Sequence, residues 1–173
     1  TKVYGASVPA LTATFDKFVN GDGEGSLKTP VSITTTATAN SHVVTGGYPI
    51  TVSNATSDNY EIKFVAGTLT VTPSPLTITA NNANKLYGAQ LPTFTASYDT
   101  FVLGETSAVL GGTLLFATSA TASSTVAGPY SVTPYGSTST DYSITFKPGY
   151  LTVTPAPLTV TGVDRQKVFD GQP

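Results

Sequence analysis

The chain repeats itself. Residues 1–21 read TKVYGASVPALTATFDKFVNG and residues 84–104 read NKLYGAQLPTFTASYDTFVLG; aligned without a gap, Lys2–Gly21 and Lys85–Gly104 agree at 11 of 20 positions. A second block, GTLTVTPSPLTITA at 67–80, returns as GYLTVTPAPLTVTG at 149–162, with 10 of 14 positions shared. The offset is 83 residues in the first block and 82 in the second, so one residue is lost between them. Lys167-Val168-Phe169-Asp170-Gly171 then falls where a third copy is due. Such a period is longer than the roughly 20–50 residues of solenoid repeats, so each copy can carry its own small core as a separate bead. The expected organisation is one repeat domain at 1–74, a second at 75–156, and the opening strand of a third at 157–173.

Within a copy the apolar residues alternate. Tyr48, Ile50 and Val52 form one face; Tyr60, Ile62 and Phe64 another; Leu69 and Val71 a third. The second copy repeats the pattern at Tyr130 and Val132, at Tyr142, Ile144 and Phe146, and at Leu151 and Val153. Period-2 alternation rich in β-branched and aromatic residues predicts half-buried strands. Further strands are expected at 11–15 and 94–98, and at 31–39 and 113–121. Pro148-Gly149 suits the middle of a type II turn, which would pair 142–146 with 150–154 as a hairpin, and Gly67 would supply the same turn in the first copy. The only helical signals are single turns at 105–110 and 22–27. The fold class is therefore all-β, as two tandem small domains. A β-grasp-like sheet is the preferred topology, with an immunoglobulin-like sandwich as the alternative, because five or six strands per copy fall short of about seven.

Between the copies, Val71-Thr72-Pro73-Ser74-Pro75-Leu76 leaves almost no linker, and alternate prolines favour extended backbone. Two closely superposable beads with little interface are expected. The status of Pro157–Thr161 is open. As a first strand of the following repeat it could complete another molecule's first bead; as a last strand it would pack on the second bead.

Composition narrows the function classes. Charged residues are 10% of the chain, against roughly 25% in average soluble domains. Eight basic and ten acidic residues give a net charge of −2, which offers no basic stripe for nucleic acid and no polybasic membrane anchor. No apolar run approaches the ~18 residues of a membrane-spanning helix, so membrane insertion is not expected. Cys is absent, which excludes disulfide stapling, thiol catalysis and Cys-based metal sites. The chain starts at Thr1 and has no Met, and is read as a segment of a longer protein.

The recurrent pieces are K-x-Y-G-A-x-x-P, a following strand ending F-V-x-G, then a Tyr-led hairpin, G-x-L-x-V-T-P and P-L-T-x-T. They resemble the MBG domains of the YGX type, which occur as tandem arrays in large bacterial adhesin-like surface proteins. The match runs from Tyr4-Gly5 to Pro73 and from Tyr87-Gly88 to Pro155, while Val168-Phe169-Asp170-Gly171 is closer to the related YDG repeats. The resemblance implies an extracellular array with an adhesive role for the whole protein, and carries over no ligand-binding residue.

Each candidate site has a plainer reading beside it. Asn20, Asp22 and Glu24 alternate as calcium ligands can, but about 6–8 oxygens are needed and the closing bidentate Glu is missing. The second copy keeps only Glu105 there. A solvated turn is expected, with no metal and no cofactor. Lys2, Lys85 and Lys167 precede the aromatic of each copy, and Asp16 and Asp99 recur behind it; ordinary surface pairing is preferred over an intramolecular Lys–Asx amide. Tyr4 and Tyr87 read as core anchors with capped hydroxyls rather than a ligand platform. His42, the only histidine, has no oriented nucleophile beside it in sequence. Asn54-Ala55-Thr56 is a glycosylation sequon expected by chance. Tyr135 and Tyr150 are the aromatics expected to be exposed.

Three functions fit these residues: a stalk that holds an adhesive region away from the cell, repeats that themselves bind glycans or mucin weakly through avidity, and an accessory module of a secreted polysaccharide-degrading enzyme. The stalk leads, no catalytic residues are assigned and the chain is not expected to be an enzyme. Neighbouring repeats are its expected partners, with host or environmental glycans as the further possibility.

Overall fold

The computed structural model describes residues 1–168 and 171, so Phe169 and Asp170 of the third-copy signature lie outside the described residues. Among the described residues there are twelve strands and two single-turn 3-10 helices, Glu24–Ser26 and Ser107–Val109. The helical turns sit where 22–27 and 105–110 predict them, and the all-β class holds.

The first repeat contributes β1 (Lys2–Val3), β2 (Ser32–Thr35), β3 (Tyr48–Ser53), β4 (Gly67–Leu69) and β5 (Val71–Thr72). The second contributes β6 (Ser74–Ala80), β7 (Ala83–Leu86), β8 (Ala96–Asp99), β9 (Gly111–Thr118), β10 (Tyr130–Thr138), β11 (Tyr142–Lys147) and β12 (Gly149–Thr154). Its seven strands form a four-stranded sheet, β7-β12-β10-β9, and a three-stranded one, β11-β6-β8.

The four-stranded sheet has a counterpart in the first repeat. β7 runs parallel to β12 with Lys85 opposite Val153, as β1 runs parallel to β5 with Lys2 opposite Val71. β9 and β10 set Thr118 against Val132, as β2 and β3 set Thr35 against Ile50. The register follows from the alternation: Val132, Leu151 and Val153 turn inward and are fully or almost fully buried, each contributing about 1.5–3 kcal/mol on leaving water.

The three-stranded sheet has no counterpart. β6 lies between β11, which it pairs in parallel with Leu76 opposite Ile144, and β8, which it pairs antiparallel with Ile78 opposite Tyr98. The equivalent stretches of the first repeat, 13–16 and 60–65, form no strand. The strands expected at 11–15 and 60–64 are therefore absent, although their alternation is as clean as in the second copy. A strand needs a ladder partner for its backbone N–H and C=O groups, and pattern alone does not provide one.

The expected hairpin of 142–146 with 150–154 is also overturned. β11 belongs to the three-stranded sheet, whereas β12 inserts between β7 and β10 in the other. Pro148-Gly149 is a crossing between sheets and not a type II turn. Gly149 does not have positive φ, and its glycine is required by space, since an added Cβ would lie 2.2 Å from the Ala80 carbonyl oxygen. Gly67, likewise without positive φ, opens β4 and pairs with Ile50 of β3. No hairpin forms there either.

Pro73 alone separates β5 from β6, so strand residues run across the junction as expected. The expectation of little interface fails. Tyr4 and Val71 of the first repeat share one buried cluster with Leu76, Ile78 and Tyr142 of the second.

Candidate functional site at the joint between repeats

A tight turn opens the joint. Leu103 and Gly104 have positive φ (57° and 72°), and Glu105 N–H donates to the Val102 carbonyl at 3.0 Å. This turn swings Glu105 towards the start of β11, where Tyr142 OH donates to its Oε2. From the first repeat, Tyr4 OH donates to Oε1 of the same carboxylate at 2.8 Å. One carboxylate therefore receives two buried hydroxyls, one from each repeat.

The rings follow the hydrogen bonds. Tyr4 and Tyr142 meet edge to face at 5.6 Å, and Phe101 packs edge to face on Tyr142 at 5.4 Å, geometries favoured by the ring quadrupole. The Val102 N–H donates to Tyr142 OH at 3.1 Å. Both tyrosines are held above the ordinary tyrosine range, first by burial and then by the hydrogen bond to Glu105, which favours the protonated phenol. Gly5 completes the fit. It has φ +81°, and a Cβ there would stand 2.5 Å from Val102 Cγ2. The Tyr-Gly pair is thus a joint device: the tyrosine reaches across and the glycine lets the next repeat come close.

A second strap lies beside the first. His42 stacks on Tyr4 at 5.6 Å, and its Nδ1 is 2.8 Å from Asp141 Oδ2 of the second repeat. The Val43 N–H donates to Asp141 Oδ1, also at 2.8 Å. His42 accordingly holds two repeats together through an acid distant in sequence.

The other half-joint of each kind stands open. On the first repeat, Asn20 and Gly21 have positive φ, Asp22 N–H donates to the Val19 carbonyl, and Tyr60 OH donates to Asp22 Oδ2 at 2.7 Å. Phe18 packs edge to face on Tyr60 at 5.3 Å, and the Val19 N–H donates to Tyr60 OH at 3.2 Å. Each contact reproduces one around Tyr142, yet no tyrosine comes across, and Val19 is 56% exposed. The hydrogen bond to Asp22 raises the Tyr60 pKa. On the second repeat, Tyr87 is 50% exposed, and nothing lies within 4 Å of a Cβ built on Gly88.

These contacts sort the sequence candidates. Asp22 serves Tyr60, and its Oδ1 also accepts from Ser26 Oγ; among the described residues no three His, Cys, Asp or Glu side chains gather as metal ligands. Lys2 and Lys85 are not surface pairs with Asp16 and Asp99. Both are buried. Lys85 Nζ donates to the carbonyls of Leu86, Ala89 and Ala122, and Lys2 Nζ to those of Val3 and Ala39; burial lowers the Lys2 pKa. A ring of carbonyls can hold an ammonium inside because it supplies acceptors where solvent is excluded. Tyr4 is a buried anchor, but its hydroxyl meets a carboxylate of the next repeat and not a local backbone group, and Tyr87 is half exposed instead of a core anchor. Tyr135 and Tyr150 are exposed, as expected.

Sequence reasoning passed over Glu105 and Asp141 as site residues. The available signal was the repeat alignment itself, which puts Asp22 and Glu105, and Tyr60 and Tyr142, in equivalent positions.

The family model described as MBG domain (YGX type) matches residues 1–70 and again residues 76–152. No curated protein and no solved structure gives a significant match to the chain. Two matches that together span most of the chain, on a Tyr-Gly pair whose structural task is visible at the joint, place it: the chain belongs to the MBG domain (YGX type) family.

Proposed function

We propose that the chain is part of an extracellular stalk of a bacterial surface adhesin, in which these repeats act as structural spacers. The observation that carries this reading is the joint. Two repeats are fixed to each other by Tyr4–Glu105–Tyr142, by His42–Asp141 and by a junction in which Pro73 alone separates β5 from β6. A fixed joint transmits orientation from repeat to repeat, which a spacer needs and an independent binding module does not. Tyr4, Glu105, Tyr142, His42 and Asp141 all spend their polar groups in making it. Low charge and Thr-rich strands suit an exposed array that needs no counter-charged partner.

The test is solution scattering on arrays of two, four and six repeats. The longest dimension should grow in proportion to repeat number, and growth closer to the square root, as for flexibly linked beads, defeats the spacer reading. A glycan array supplies the second arm. Binding of the same sugar by both repeats would favour the glycan-binding alternative, for which Tyr135 and Tyr150 are the exposed aromatics.

A further inference from the structure

The first repeat carries a cleft of about 520 Å³, lined by stretches equivalent to two strands of the second repeat's three-stranded sheet. Its lining includes Ala13 and Phe15 from one stretch of chain and Ile62 and Phe64 from another, together with polar residues such as Asp16 and Glu61. By the repeat alignment these are the counterparts of β8 and β11. In the second repeat the space between those strands is filled by β6, whose Leu76 and Ile78 are 1% and 0% exposed. The cleft has the position and lining of a β6 slot.

The same chain carries a matching strand. Pro157-Leu158-Thr159-Val160-Thr161 differs from Pro75-Leu76-Thr77-Ile78-Thr79 only by Val for Ile. Within its own molecule this segment is in no strand, and Leu158 and Val160 are each 87% exposed. Two large apolar side chains on an alternating segment are thus displayed beside a chain that has a groove for them.

We propose that the cleft is a strand-acceptor site whose occupant is the 157–161 segment of a second copy of this chain, so that copies join head to tail. The inserted strand runs parallel to 60–65 and antiparallel to 13–16, in the register β6 takes with β11 and β8, with Leu158 opposite Ile62. Main-chain hydrogen bonds supply affinity and the two apolar side chains supply specificity, as in other strand additions. Without the strand, 13–16 and 60–65 have no common ladder partner, which accounts for their failure to form strands.

The joint residues require the same geometry independently. Tyr87 N–H donates to the Thr154 carbonyl at 2.8 Å, as Tyr4 N–H does to that of Thr72. A molecule that inserts its tail therefore brings Tyr87-Gly88 to the partner's Val19, Tyr60 and Asp22, as Tyr4-Gly5 meets Val102, Tyr142 and Glu105. The contact is heterologous, and repetition gives an open chain of copies rather than a closed dimer. This goes beyond the stalk reading and stands whether or not the array is a stalk.

The experiment uses the full chain, which has no cysteine of its own. The single variants Lys63→Cys and Thr159→Cys are mixed and oxidised. Their positions are the counterparts of Thr145 and Thr77, which face each other across β11 and β6, a spacing a disulfide can bridge. The expected product is the mixed disulfide, well above the level from Thr145→Cys with Thr159→Cys, where β6 already fills the slot. Sedimentation of the unmodified chain should show mass rising with concentration. Leu158→Asp with Val160→Asp, or deletion of 157–173, should weaken association at least tenfold. A chain that stays monomeric at every concentration, a mixed disulfide no more abundant than the Thr145 control, or association that survives both tail changes would each overturn the proposal.

Discussion

Tyr4 of the first repeat and Tyr142 of the second donate to the two oxygens of one carboxylate, Glu105, and their rings meet edge to face across the joint. Both tyrosines are buried. Glu105→Ala would leave two buried hydroxyls without their acceptor, at an expected cost of about 1–3 kcal/mol. Asp22→Ala, at the open counterpart, should cost less, because Tyr60 keeps contact with water. Denaturant midpoints of the two variants check the order; equal losses would mean that joining the repeats adds nothing to this pair.

Gly5 and Gly88 share nearly the same backbone, φ +81° and +82°, but only Gly5 faces Val102 of a following repeat. Gly88→Ala should show the left-handed penalty alone, about 1–2 kcal/mol. Gly5→Ala should add a steric cost of about 1–3 kcal/mol, and Val102→Ala in the same molecule should relieve part of it. Thermal melts of the four proteins test this. If Gly5→Ala and Gly88→Ala lose equal stability, the close approach at Gly5 is not what requires the glycine.

How much of this was legible follows from where the partners lie. Strands such as Tyr48–Ser53 and Tyr130–Thr138 could be read from alternation because one buried face is a local property. The pairing of β11 with β6 could not. Tyr142 lies beside Ser74, far back in the chain, and a Pro-Gly beside it offered a nearer, incorrect partner. The joint was harder still. Tyr4 reads as a core anchor within one copy, and the task of Tyr4-Gly5 appears only when the next copy's Val102 and Glu105 are in place. The burial of Lys2 and Lys85 carries no sequence sign, since carbonyls are available everywhere along a chain and only the fold gathers two around one and three around the other.

Stability should depend on pH on the alkaline side. Tyr4 and Tyr142 are held above the ordinary tyrosine range by burial and by Glu105. In the unfolded chain they release their protons near pH 10, while the folded chain retains them. Above that pH the folded state therefore binds more protons, and stability falls as pH rises. The contribution is fully present below about pH 9. Urea midpoints should be flat across neutral pH and decline beyond pH 10, with a shallower decline in Tyr4→Phe. An equal slope in that variant would remove Tyr4 as a source.

The last comparison sets two equivalent residues in opposite surroundings. Ile78, at the middle of β6, is 0% exposed, whereas Val160, its counterpart in the tail, is 87% exposed. Ile78→Ala should destabilise the second repeat by about 2–5 kcal/mol, because β11 and β8 both pack on that strand and cannot close over the missing methyl groups. Val160→Ala should change the melting of a dilute sample by no more than about 0.5 kcal/mol, as at other exposed positions. At high concentration the two variants should cease to differ in kind: if tails fill clefts, Val160→Ala too becomes a core truncation, and its melting temperature should drop relative to the unmodified chain as both are concentrated. Melting curves over a hundredfold concentration range decide it, and a Val160→Ala effect that stays near zero throughout would show that the tail buries no side chain in any neighbour.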